Sequence, residues 1–207
     1  MKDVKELESN SPVKNPFIKK ATINDHETVI NILCSAFRND PHMAWLLEKS
    51  KNPNKLQTMM SYLFYKTLKI GEIHLTKDEQ AVALWKSDKK EKLTLEYIRR
   101  NFMFLMNIGL TSVIRILGNE NFTYKQYPKR QIYHHLYLVG VRPECQGKGY
   151  ASRLLNPVLE KMSKKSIPVY LETANVTNVK IYEKKGFQIY NLWVKPGLEL
   201  YYMKKTR

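Results

Sequence analysis

A mixed α/β fold in one domain is what this sequence predicts, and three observations carry the expectation. The chain has 207 residues, enough for one sizeable core. Apolar residues at helical spacing alternate with short runs rich in Val, Leu, Ile and Tyr. The alternation follows no strict β-α-β repeat, so a mixed sheet flanked by helices fits better than a doubly wound one. Hydrophobic residues make up 43% and neither Gly nor Pro is enriched, which argues against collagen-like or low-complexity chains. No repeat of fixed period is visible.

In order, residues 1 to about 16 are polar, carry Pro12 and Pro16, and read as a flexible leader, leaving 17–207 as the domain. Phe17 to Ile23 alternates enough for a strand. Asn24 and Glu27 form a capping-box start for a helix with Val29, Ile30, Leu33, Ala36 and Phe37 on one face, ended by Asn39-Asp40-Pro41. After Pro53, the stripe Leu56, Met59, Met60, Leu63, Thr67 and Ile70 predicts a second helix, with Gly71 as its C-terminal cap. Strands follow at Glu72 to Thr76 and Ala81 to Lys86. Residues 91–117 read as a helical insertion, divided at Gly109, with Leu95, Ile98, Phe102, Leu105, Met106 and Leu110 as its apolar face. Gly118 to Arg130 reads as polar and irregular. His135 to Val141 predicts a buried strand. A glycine turn leads from it into a helix bearing Ala151, Leu154, Leu155, Val158, Leu159 and Met162, which Pro157 should kink. A strand at Val169 to Thr173 and a short helix at Val176 to Lys185, ended by Gly186, come next. Phe187 to Val194 and Leu198 to Met203 close the chain as a hairpin.

Several function classes recede on composition. The longest charge-free stretch, Asn101 to Ile114, is too short to span a bilayer, and the first residues lack the apolar run of a signal peptide, so a cytoplasmic protein without membrane attachment is expected. Two cysteines, Cys34 and Cys145, suit a reduced compartment. The net charge of +16 fits nucleic acid, an anionic surface or an anionic small ligand. Its lysines are scattered in pairs such as Lys164-Lys165, with no basic block, so no specific nucleic-acid partner is expected. The five histidines show no metal-ligand spacing, and no metal is expected.

The chemistry concentrates at Val139-Gly140-Val141-Arg142-Pro143-Glu144-Cys145-Gln146-Gly147-Lys148-Gly149-Tyr150-Ala151. A strand running into a glycine turn that opens a helix presents unpaired N–H groups and a partial positive charge, which suits a pyrophosphate. Gly147 and Gly149 allow close backbone approach, and Lys148 adds charge. The P-loop pattern and the Gly-x-Gly-x-x-Gly of a dinucleotide fold are both absent.

The same residues resemble the GNAT N-acetyltransferase superfamily. Its acyl-CoA motif, Gln/Arg-x-x-Gly-x-Gly/Ala after a strand ending Val-x-Pro, is matched by Gln146-Gly147-Lys148-Gly149-Tyr150-Ala151 after Val141-Arg142-Pro143. A second element, Leu171-Glu172-Thr173, Asn175, Tyr182 and Gly186-Phe187, follows at the family's interval, and looks closest to the puromycin N-acetyltransferase-like branch. The resemblance implies a splayed, mostly antiparallel central sheet and acetyl-CoA as cosubstrate. The pantetheine would pair with Val139, Gly140 and Val141, and the Val141 N–H would face the thioester oxygen. Gly147 to Ser152 would hold the pyrophosphate. Asn175 would bond the pantetheine, and Asn178, standing where the family usually has a small residue, is a second candidate.

Tyr182 is the candidate general acid, since a thiol of pKa about 8.5 leaves as a thiolate that needs a proton. The attacking amine, with a pKa of about 10, needs a base or a desolvating pocket. Glu172, at the end of a buried strand, and His135, six residues before Val141 where the resemblance implies a glutamate base in some members, are the candidates. His134 points to the opposite face and reads as structural. Cys145 sits beside the helix start but has no evident histidine partner, so a covalent route is not expected. The expected activity is direct acetyl transfer to a primary amine of a small molecule, by a monomer or homodimer. A non-catalytic acyl-CoA-binding module and a protein or peptide N-acetyltransferase stand as alternatives.

Overall fold

The computed structural model describes residues 16–48, 53–86, 94–129 and 131–206. The leader expected over residues 1–16 lies, up to residue 15, outside the described residues, as do residues 91–93 of the expected insertion. The chain builds one seven-stranded sheet in the order β1-β2-β3-β4-β5-β7-β6. Its strands are β1 (Ile18–Lys20), β2 (Gly71–Thr76), β3 (Ala81–Lys86), β4 (His134–Val141), β5 (Val169–Thr173), β6 (Gln188–Lys195) and β7 (Leu198–Lys205). All neighbouring strands are antiparallel except β4 and β5, which are parallel.

Among the described residues seven α-helices cover its faces: α1 (His26–Ala36), α2 (Pro41–Leu46), α3 (Pro53–Ile70), α4 (Leu95–Ile108), α5 (Leu110–Gln126), α6 (Tyr150–Lys164) and α7 (Val176–Glu183). Two main cores result. On one face, Leu33 of α1 and Met60, Leu63 and Phe64 of α3 pack on Val82, Leu84 and Leu138. On the other, Leu154, Leu155 and Val158 of α6 pack on Ala83, Trp85 and Leu171.

Several elements differ from the expectation. The capping box falls on Thr22 and Asp25, which open a single 3₁₀ turn leading into α1, rather than on Asn24 and Glu27. A short helix, α2, follows Pro41, with the Asp40 carboxylate accepting from the Met43 N–H at 2.9 Å. Gly71 is the first residue of β2, with no loop after α3. A Cβ there would run into the Trp85 carbonyl oxygen of β3, so glycine is demanded by close strand approach, not by a cap. As expected, Pro157 lies inside the helix α6.

The insertion differs most. The helix break at Gly109 is where expected, but α5 extends to Gln126, through most of the stretch read as irregular. The expected apolar face is the exposed one: Leu95, Met106 and Leu110 are 86%, 70% and 76% exposed, while Phe104, Ile108 and Ile116 are buried. Apolar residues lie on both sides of these helices, so their spacing alone does not choose the inward side. Among the described residues no helix is long and apolar enough to cross a membrane.

Candidate active site

The site is set by a fault in one strand. In the β3–β4 ladder Leu84 pairs with Leu138 but Trp85 pairs with Leu136, so Tyr137 is an extra residue, a β-bulge. Tyr137 and Leu138 consequently turn to the same face, toward α1 and α3, while Val139 and Val141 turn to the α6 face. The bulge also changes which way the backbone points. Before it, the His134 N–H donates toward β5, to the Pro168 carbonyl at 2.9 Å. After it, the Arg142 N–H donates toward β3, to the Gln80 carbonyl at 2.9 Å. Alternation from Arg142 turns the Gly140 N–H to β3 and the Val139 and Val141 N–H groups away from it.

The groups turned away face a gap. β4 and β5 pair only through His134–Val169, His135–Tyr170 and Leu136–Leu171; beyond Leu136 they part. The stretch Tyr137–Val141 therefore has β3 on one side and no strand on the other. Gly140 is glycine for a packing reason: a Cβ would press on Ala36 and Leu33 of α1 at 3.2 Å.

Past the gap, Pro143–Cys145 forms one 3₁₀ turn and α6 begins at Tyr150. Gly147 and Gly149 have φ of +77° and +80°, and a Cβ on either meets nothing within 4 Å. No side chain caps α6, so its first N–H groups face open space. Gln146 and Lys148 are exposed. The Gln146 amide reaches back to the Val141 carbonyl at 3.4 Å. Tyr150 donates to Asp78 at 2.7 Å, and Ser152 accepts from Lys185 at 2.8 Å. Ala151 is half-buried in the first turn. A glycine cradle, an uncapped helix start and a parted strand pair together fit an extended ligand ending in a diphosphate.

Across the gap a cavity of about 700 Å³ opens between the sheet and the helices α2, α3 and α5. It brings Glu172, His135, Tyr182, Val139 and Asn178 together. His135 Nε2 lies 2.9 Å from Glu172 Oε2 and 2.9 Å from the Tyr127 hydroxyl, which donates to the other Glu172 oxygen. Burial pushes the Glu172 carboxyl up to about 8, against the pull of the Lys86 ammonium. Burial, with Lys86 and His134 adding to it, holds the His135 imidazole well below its ordinary value, so it stays neutral at neutral pH. Tyr182 is buried on α7 against Phe187, and burial raises its phenol above the usual tyrosine range. His134 stacks on Trp85 on the opposite face, where burial lowers it to about 4. Asn175 caps α7 by accepting from the Thr177 N–H at 2.9 Å, which commits its side-chain oxygen.

Two residues beside the Glu172–His135 pair, Tyr127 and Lys86, are among the cavity residues that carried no functional reading in the sequence. Tyr127 fell in the stretch read as irregular, although Pro128 after it marks a helix stop that would have placed it at an α5 end. Lys86 ends β3 on the face of Val82 and Leu84, so a charge at an inward position was its signal. Lys66 and Glu120 form an ion pair of 2.7 Å at the far wall. Among the described residues no group of acids, histidines and cysteines could hold a metal ion.

The sequence model of the family described as "Acetyltransferase (GNAT) domain" matches residues 74–207. An uncharacterised N-acetyltransferase of Schizosaccharomyces pombe is 27% identical over 180 residues, 82% of this chain and 73% of the relative. A crystal structure from Corynebacterium glutamicum, described as a histone acetyltransferase and related acetyltransferase, superposes with a TM-score of 0.68 at 21% identity, over 91% of this chain and 94% of that one. Arylalkylamine N-acetyltransferase 2 from Aedes aegypti gives 0.61 at 15% identity, over 91% and 97%.

Proposed function

The chain belongs to the acetyltransferase (GNAT) family, and from that premise we propose that it transfers an acetyl group from acetyl-CoA directly to a primary amine of a small molecule held beside Glu172. The observation that carries this reading is the cavity of about 700 Å³, a drug-sized volume that joins the strand gap to a buried carboxyl. Within the family, the resemblance of Leu171-Glu172-Thr173, Asn175, Asn178 and Tyr182 supports a reading in the puromycin N-acetyltransferase-like branch, and we take 17–207 as one acyltransferase domain. The mosquito arylalkylamine enzyme offers a precedent for a small amine on this fold.

In this reading Val139 and Val141 align the pantetheine along the gap, and the Val141 N–H stabilises charge on the thioester oxygen. Gly147 to Ser152 hold the pyrophosphate. Glu172, with His135 and Tyr127 fixing its orientation, takes the proton from the attacking ammonium or amine. The amine nitrogen bonds to the acetyl carbon, the carbon–sulfur bond breaks, and Tyr182 gives the departing thiolate its proton. Isothermal titration with acetyl-CoA and a thiol-release assay over an amine panel test the reading. Micromolar cofactor binding and thiol release that depends on an added amine are expected; no cofactor binding would end it.

A further inference from the structure

The cavity wall carries two lysines that this mechanism does not use, Lys66 and Lys86. Lys86 ends β3 directly across from His135, on the sheet face that the acceptor would occupy. Its neighbour Lys66 is already matched by Glu120. Among the described residues Lys86 has no carboxylate at ion-pair distance, and its Nζ sits over the ring of Tyr137. At a strand end a lysine commonly snorkels its ammonium to water. This one turns inward, where burial and the neighbouring Lys66 ammonium push it well below an ordinary lysine while Glu120 and Glu172 pull it back. A half-buried ammonium with no carboxylate at ion-pair distance costs stability that a methionine of similar length would not. The lost stability is recovered when a ligand brings the missing charge.

The surrounding wall limits the class of ligand further. Tyr62, Tyr97, Tyr124, Tyr127, Tyr133 and Tyr137 all line the cavity, which favours a flat aromatic body. We propose that Lys86 binds an anionic group on the acceptor, so that the preferred acceptors are aromatic amines carrying a carboxylate. The amine then meets Glu172 while its acid group meets Lys86. Polyamines, which would set a second cation against Lys86, are disfavoured. This inference rests on the reading of the cavity as an acceptor site.

Thiol release is measured for pairs that differ only in the carboxylate, tyrosine against tyramine and phenylalanine against phenethylamine, with spermidine alongside. In the wild type kcat/KM should favour the acid-bearing member by about tenfold or more, the size of one charge-assisted hydrogen bond. Lys86→Met should bring that ratio to about one, and Lys86→Arg should keep it above one. The ratio is the readout, and acetyl-CoA titration checks that each variant is folded. A wild-type ratio at or below one overturns the inference, as does a ratio that Lys86→Met leaves unchanged; in both cases the acetyltransferase reading stands. Should Lys86→Met fail to fold, the wild-type pairs alone decide. No cofactor binding and no thiol release with any amine overturns both.

Discussion

Glu172→Gln removes the group on which the proposed amine activation depends, and its effect can be worked out from the carboxyl's surroundings. Burial raises this acid to about 8, so at pH 7 about a tenth of it is ionised and at pH 9 about nine-tenths. Turnover at saturating substrates should therefore climb about tenfold from pH 7 to pH 9 and then level. The glutamine variant should lose that rise and lie about 10²- to 10⁴-fold lower on the plateau, the usual contribution of a positioned base. Thiol release followed from pH 6 to pH 10 with two acceptors of different amine pKa makes the assay decisive. A rise belonging to Glu172 stays in place when the acceptor changes. The reasoning fails if the rise tracks the acceptor's own pKa, or if the variant keeps both the rise and the rate within about threefold. The same shift makes the folded state hold the proton more tightly than the unfolded chain. Stability from this group is complete below 4.5 and gone above about 8, and Glu172→Gln should remove that loss from a series of thermal melts.

Four further outcomes are expected. Tyr127→Phe strips Glu172 of a donor, which should move the rise in the pH profile to higher pH and cost about 1–3 kcal/mol in a denaturant titration. Tyr182→Phe should lower kcat by at least about tenfold while the acetyl-CoA Kd, read by titration calorimetry, changes by less than about threefold. Gly149→Val places a side chain in the open space before α6 at a φ of +80°; acetyl-CoA binding should weaken by at least about tenfold, beyond what a loss of about 1–2 kcal/mol in melting stability accounts for. Gly71→Ala should destabilise by more than about 3 kcal/mol, or leave the protein insoluble, because its Cβ collides with the Trp85 carbonyl.

How much of this was legible depended on how local the signal was. The strand, glycine turn and helix from His134 to Lys164 lie consecutively in the chain, so spacing and turn chemistry located them without tertiary information. Glu172 was legible from its place at a strand end and His135 from the family resemblance, and β4–β5 pairing puts them 2.9 Å apart. Lys86 offered only a charge at an inward strand position, and its meaning comes from the sheet: the β3–β4 register sets it opposite His135. The α5 stretch from Gly118 to Gln126 misled through composition. Gly118, Asn119 and Asn121 are poor helix formers, yet Phe122 stacks on Trp193 and Thr123 bonds the Tyr202 hydroxyl, and those tertiary contacts hold the helix. The bulge at Tyr137 left no mark at all, since an extra residue in a strand changes pairing and not pattern.

That spare residue gives β4 two allegiances along eight residues. Its first half serves as ordinary scaffold, while its second half is rotated out of step and left free for a guest. Closing the bulge by slipping the second half one residue along β3 would swing the amides of Val139 and Val141 into the sheet. The strand would become more regular and the protein would lose the ledge proposed for its cosubstrate. Length changes at the α4–α5 elbow face no such all-or-nothing penalty, so this molecule should tolerate drift in its insertion far more readily than a one-residue slip here.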